Sequence, residues 1–242
     1  MSPRARYLAF AISLLVAAAC VRLGFWQVSR LRQRRAANAA ALAQRDLPPV
    51  DLAGATSSPP DLANRRVVAI GAFDRTHEVV IRGRVDDKSP GVHVVTPLRL
   101  SGRETAVLVN RGFAPAPDAV HAELDSLDEP GTVTVRGLAL PITSEMDGGE
   151  PLESRGRTTW RRLDLAALRA RMPYPILDVY VLWDSGERAG SGTWRLRPLA
   201  PPALDDGPHL NYAIQWFAFA VIGVVGGVVI LRGRRAPKDL PR

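Results

Sequence analysis

Hydrophobic and polar positions divide this chain into three blocks. From Tyr7 to Trp26 apolar residues dominate, and from Tyr212 to Leu231 there is no formally charged residue. At ~1.5 Å rise per residue, about 20 such residues cross a hydrocarbon core of ~30 Å, so each block predicts a transmembrane helix. Between them β-branched runs recur at short intervals: Arg66 to Ile70, Glu78 to Arg82, Val92 to Leu100, Ala106 to Asn110, Thr132 to Leu138, Thr158 to Leu163, Leu177 to Trp183 and Trp194 to Leu199. Most are bounded by Gly, Pro or Asp, as at Gly71, Gly83, Pro90-Gly91 and Pro130-Gly131, which is the signature of short strands in an antiparallel barrel or sandwich. Two helical insertions are predicted, Pro117 to Asp125 and Leu165 to Met172, the second N-capped by Asp164.

The fold class expected is therefore membrane α+β: two transmembrane helices flanking an extracytoplasmic β-rich domain with short helices. Residues 1–6 form a short N-terminus, 7–27 the first span and 28–47 its helical extension. That extension is rich in Ala, Arg, Gln and Leu, and Pro48-Pro49 stops it; the Ser57-Ser58-Pro59-Pro60 stretch continues the connector. Residues 48–208 form the β-rich domain, 209–231 the second span and 232–242 a basic tail. Arg232, Arg234, Arg235 and Lys238 follow the second span while Asp205 and Asp206 precede it, which orients the C-terminus to the cytoplasm. Two spans then place the N-terminus there too, with the middle domain outside. The start of the chain has a rival reading as a signal peptide, with Arg4 and Arg6 ahead of an apolar stretch and Ala17-Ala18-Ala19-Cys20 resembling a cleavage or lipoprotein site. Resumption of apolar character at Leu23-Gly24-Phe25-Trp26 favours a retained span, and a bacterial cytoplasmic membrane is the expected location.

Charge narrows the partners. The formal net charge is +8, nearly all arginine, since Lys88 and Lys238 are the only lysines. The densest clusters, Arg30 to Arg35 and Arg232 to Arg235, are juxtamembrane, which fits anionic lipid head groups and disfavours nucleic acid. A single cysteine, Cys20, lies inside the first span as a small apolar residue and leaves no disulfide or paired-thiol metal site. No His spacing of the HxxxH or HExxH kind suggests a zinc hydrolase, and no nucleophile–base set marks an enzyme, although Asp86-Asp87, Asp147 and Glu150 offer acids. His93 reads as a surface or core histidine in a strand; His77 and His121 sit beside turn or helix signals. Arg111, at a strand end between Asn110 and Gly112, reads as an exposed cation at a turn, open to a propionate or a partner protein.

The second span opens on His209, followed by Tyr212, Ala213, Gln215, Trp216 and Phe217. An imidazole there can be a ligand, a proton carrier or an interfacial residue. On a helix Tyr212, Ala213 and Trp216 fall on its face, with Ala213 leaving room for a flat ring between two aromatics. Trp26 and Gln27 could form the opposite wall, and Arg22 could meet a propionate or a lipid phosphate.

Several phrases occur in order: Gly24-Phe25-Trp26-Gln27 with Arg30-Leu31; Gly71-Ala72-Phe73-Asp74; Gly91-Val92-His93-Val94-Val95-Thr96-Pro97-Leu98; Val109-Asn110-Arg111-Gly112-Phe113; Gly131-Thr132-Val133-Thr134-Val135-Arg136-Gly137; and His209-Leu210-Asn211-Tyr212-Ala213-Ile214-Gln215-Trp216-Phe217. With both spans they resemble the Surfeit locus protein family of cytochrome c oxidase assembly factors over nearly the whole chain. Two departures are Phe113, where the family commonly has Trp, and the loop Asp147 to Arg155. The resemblance implies a non-enzymatic factor that transiently binds haem a and delivers it to, or stabilises, subunit I of cytochrome c oxidase, with haem a synthase as a further partner. It maps the proposed axial iron ligand onto His209, and Tyr212, Trp216, Trp26, Gln27 and Arg22 are the residues whose positions could surround a haem held there. The alternative is a two-span sensor or scaffold without haem.

Overall fold

A computed structural model describes residues 2–53, 61–124, 131–142, 151–154, 157–184 and 196–233. The expected connector at Ser57 to Pro60, the acids Asp147 and Glu150, and the basic residues Arg234, Arg235 and Lys238 lie outside these residues. The chain forms two compact units, one of Met1–Ala40 with Ala203–Arg242 and one of Ala41–Pro202.

The first unit is a pair of helices. Helix α1 covers Pro3–Asp46, passing the unit boundary without a break, and helix α3 covers His209–Arg232. Both are long and apolar enough to cross a membrane. Small residues let the two backbones approach, a device suited to lipid, where no hydrophobic force drives helices together. Within this unit the buried positions on α1 are Ala17, Cys20, Gly24, Gln27 and Leu31, and on α3 Ala213, Ala220 and Gly227. Their alternating spacings of three and four, and the seven-residue step on α3, are those of a heptad seam. A Cβ at Gly24 would lie 2.6 Å from the Phe217 ring, and one at Gly227 would collide with Ser13 Oγ. Going up α1 the partners descend α3, so the pair is antiparallel.

The second unit is a closed barrel. Its strands are β1 (Val50–Asp51), β2 (Arg66–Phe73), β3 (Val79–Asp86), β4 (Ser89–Leu100), β5 (Ala106–Pro115), β6 (Thr132–Pro141), β7 (Leu152–Ser154), β8 (Arg157–Trp160) and β9 (Ile176–Trp183). They pair in the order β1-β2-β6-β9-β5-β4-β3-β8-β7, and an additional β2–β4 ladder closes the ring. That closure runs Gly71↔Leu100, Ala72↔Arg99 and Phe73↔Leu98. Gly71 is required there, because any Cβ would overlap the Arg99 carbonyl oxygen. The barrel is mainly antiparallel, but β5 pairs β9 in parallel, as does β3 with β8. A parallel pair needs a long crossover, supplied here by the connection that carries β7, β8 and helix α2 (Leu165–Arg171).

Core residues lie on both faces of β5. Val107 and Val109 pack with Val67, Val135, Val181 and Trp183, while Ala106 and Leu108 pack with Ile81, Trp160 and Leu168. This two-sided burial explains its unbroken apolar run. Helix α2 forms at the predicted place, and the Asp164 side chain accepts from Ala167 N at 2.8 Å as its N-cap. The expected helix from Pro117 is not formed. Asp118 instead accepts from Val120 N and His121 N, at 2.9 and 2.8 Å, and from the His121 ring, so its oxygens satisfy a turn that competes with helix. The strand expected around Trp194 to Leu199 reduces, among the described residues, to one bridge between Arg197 and Phe113.

His93 is half-buried in β4, its ring 6.3 Å from Phe113. Burial, reinforced by the charge of Arg84 and opposed by Asp86, pushes its imidazole down to about 4 from an ordinary 6.5. Between those values the unfolded chain binds the extra proton and the folded one does not. Stability is therefore full above the unfolded value and falls with acidification towards pH 4, by up to about 3 kcal/mol. Urea unfolding of the full chain in detergent should show this loss between neutral and mildly acidic pH, and His93→Phe should flatten it.

Candidate functional site

The seam of the helix pair ends in two polar residues. Gln27 occupies a seam position on α1 and is only 9% exposed. His209, the first residue of α3, lies four residues before Ala213 in the opposite seam. The two meet in a hydrogen bond of 2.9 Å between His209 Nδ1 and Gln27 Oε1. A carbonyl oxygen can only accept, so Nδ1 donates its hydrogen, and in the neutral ring Nε2 carries the lone pair. An acceptor on one ring nitrogen fixes the tautomer and ring orientation, so the other nitrogen could serve as a metal ligand.

Space at Nε2 comes from Gly207. Its φ is +67°, a left-handed conformation that glycine adopts at little cost. A Cβ there would stand 3.7 Å from His209 Nε2 and 3.5 Å from Cδ2, in contact with that edge of the ring, so glycine leaves this side of the nitrogen uncovered. The approach to α3 is pinned to the extension of α1. Asn38 Nδ2 donates to the Asp205 carbonyl at 2.8 Å, Arg35 Nε pairs with Asp206 Oδ2 at 2.8 Å, and Gly207 N donates to Asp205 Oδ1 at 3.0 Å. The basic run after the first apolar block thus orients His209 through the segment that precedes it.

The other residues singled out in the sequence are placed as follows. Trp216 packs into the seam against the cluster of Ala17, Cys20 and Ala220, with its ring 6.0 Å from Phe219. Tyr212 and Trp26 present their side chains outward, 47% and 53% exposed, and Arg22 is exposed on α1. Ala213 is 2% exposed, so helix packing occupies the room expected over it for a flat ring. The site therefore consists of the His209–Gln27 pair with Gly207, and the aromatic residues border it without enclosing it. Gly207, Asn38 and Asp206 were missed; their signal was the Asp-Asp-Gly-Pro turn directly before His209.

Arg111 corrects a second expectation. It is 1% exposed in the middle of β5, because the apolar run continues past Asn110 through Phe113 and Ala114. Its Nη1 lies 3.6 Å from Glu78 Oε2, and its guanidinium covers the Phe73 ring at 4.9 Å. Nearby, Asp74 accepts from His77 Nδ1 at 2.8 Å and from the Tyr174 hydroxyl at 2.7 Å. Burial alone would raise the Asp74 carboxyl, but these donors and the His77 charge hold it below its usual value. Burial and the Asp74 contact push the Tyr174 hydroxyl far upward, so it stays a donor. Among the described residues no three His, Cys, Asp or Glu side chains gather to hold a metal ion.

The SURF1 family model matches residues 14–221, which includes Gln27, Gly207 and His209. A SURF1-like protein of Monosiga brevicollis is 27% identical over 235 residues, covering 89% of this chain and 87% of its own length. An uncharacterised SURF1-like protein of Mycobacterium tuberculosis is 27% identical over 221 residues, covering 88% and 79%. Surfeit locus protein 1 of Mus musculus is 28% identical over 169 residues, covering 64% of this chain and 55% of the mouse protein.

Proposed function

The chain belongs to the SURF1 family, and from that premise we propose that it is a non-enzymatic biogenesis factor of cytochrome c oxidase that transiently holds haem a. The observation that carries the haem reading is the His209–Gln27 pair, with an imidazole nitrogen left free beside Gly207. A single neutral imidazole suits an axial haem ligand, and the porphyrin supplies the remaining in-plane donors. His209 binds the iron, Gln27 keeps the ring in the binding tautomer, and Gly207 keeps access to Nε2. Outward-facing Tyr212 and Trp26 offer apolar edges to a macrocycle with a hydrophobic tail, and exposed Arg22 offers a cation to a propionate.

The partners follow from this role: subunit I of the oxidase as recipient, haem a synthase as source, and a bacterial cytoplasmic membrane as the site. Both termini face the cytoplasm and the β domain lies outside, in keeping with the basic exit of the second span. The test is to purify the full chain in detergent from cells that make haem a and record its pyridine haemochrome spectrum. Haem a should co-purify, and deletion of the gene should lower the haem a content of the oxidase. A haem-free protein from haem a-producing cells, with normal oxidase in the deletion strain, would overturn the reading.

A further inference from the structure

The β domain has a cationic basin remote in sequence from His209. A cavity of about 640 Å³ is lined by Arg82, Arg84, Arg161 and Arg162. Sheet register brings these pairs together. Strand β8 runs parallel to β3 with Val80↔Thr159 and Ile81↔Trp160, so Arg161 and Arg162 leave β8 abreast of Arg82 and the residues after it. On β3 the pairing with β4 slips by one residue between Ile81 and Arg84, a β-bulge with Gly83 at φ +70°. Gly83 N donates to the Ala119 carbonyl at 2.8 Å, which fastens the turn at Asp118 as the facing wall.

Neutral oxygens hold the inner arginines. Arg82 Nη1 donates to the Thr159 carbonyl at 2.7 Å, and Arg84 Nη2 to the Arg161 carbonyl at 2.9 Å. Their positions are thus fixed while their charge is not neutralised by these contacts. Asp118 is the one carboxylate among the described lining residues, and it is engaged by His121 and the Val120 and His121 amides. Crowding shows in Arg84, whose guanidinium is lowered by burial and by the charge of Arg162, against a raising influence of Tyr180. Two planar guanidiniums held by hydrogen bonds, with two exposed ones beside them, match an anion with several oxygens and more than one charge.

We propose that this basin binds a phosphate-bearing anion, either a soluble phosphate compound or the head group of an anionic phospholipid. Arg82 and Arg84 form the preorganised floor, and Arg161 and Arg162 close on the anion from the rim. Two measurements on the full chain in neutral detergent test this: calorimetric titration with pyrophosphate, and native mass spectrometry with phosphatidylglycerol against phosphatidylcholine. Arg161→Gln with Arg162→Gln is expected to weaken the binding by about tenfold or more, while Arg66→Gln with Arg169→Gln, of equal charge loss, leaves it unchanged. Pyrophosphate binding alone identifies a soluble source; a phosphatidylglycerol preference lost in the basin variant identifies the lipid. In the wild-type protein the bound probe should also slow amide exchange at Gly83 and Val120. Absence of both kinds of binding, equal loss in the control variant, or unchanged exchange at those amides would overturn the proposal.

Discussion

His209→Ala is expected to abolish haem a retention while leaving urea unfolding of the β domain unchanged. The separation is physical: residues 41–202 have their own core, and His209 lies in the other unit. Loss of the imidazole removes the nitrogen proposed to hold the iron, and His77, His93 and His121 all belong to the unit of residues 41–202. Gln27→Leu should have a smaller effect of the same kind, because the ligand remains but its tautomer and ring angle are no longer held. Weakening by about 10–100-fold is the scale for loss of such an outer partner. Gly207→Val should act between the two, by strain at a left-handed φ and by crowding Nε2. The measurements are haem a per protein after detergent purification and the optical spectrum of what remains. Equal haem content and spectra in wild type, His209→Ala and Gln27→Leu would exclude His209 as the ligand and leave the assembly role to be carried by other residues.

Local signals in the sequence account for much of the fold. Unbroken apolar stretches and β-branched runs depend on residues a few positions apart, and they placed both long helices and most strands. Asp164 before an amphipathic stretch placed α2 for the same reason. Features set by distant register were not legible. Arg111 read as a turn cation because its neighbours Asn110 and Gly112 are turn residues, yet β5 continues and carries it inside. The parallel β5–β9 ladder depends on the path of the connection between β6 and β9, which no local pattern states. At the site, His209 stood out by its chemistry, whereas its hydrogen bond to Gln27 required the two seams to be aligned. That seam was present as the spacing Ala17, Cys20, Gly24, Gln27, Leu31. The four arginines of the basin lie in two separate dipeptide-scale groups, and only the β3–β8 register unites them.

Arg111→Met is expected to destabilise the β domain by about 3–5 kcal/mol, the cost of leaving a buried charge without its counterion. Glu78 is the group exposed to that cost. Its Oε2 lies 3.6 Å from Arg111 Nη1 and accepts from Thr96 Oγ1 at 2.9 Å, in a region where both charged side chains are nearly inaccessible. Methionine can refill much of the volume against Phe73, but it cannot answer the carboxylate. Glu78→Gln alone should also destabilise, by leaving the guanidinium facing a neutral amide. Combined with Arg111→Met, it should recover much of the loss, because the double variant removes both charges of the pair. Arg111→Lys should fall between wild type and methionine: the charge stays, while the planar group stacked at 4.9 Å over Phe73 is lost. Chemical denaturation of the four proteins gives the coupling energy directly. A double variant as unstable as the sum of the single ones would mean that Arg111 and Glu78 act separately. A destabilised domain that still retains haem a would place Arg111 in the architecture of the barrel and not in the haem site, which is where its burial in β5 puts it.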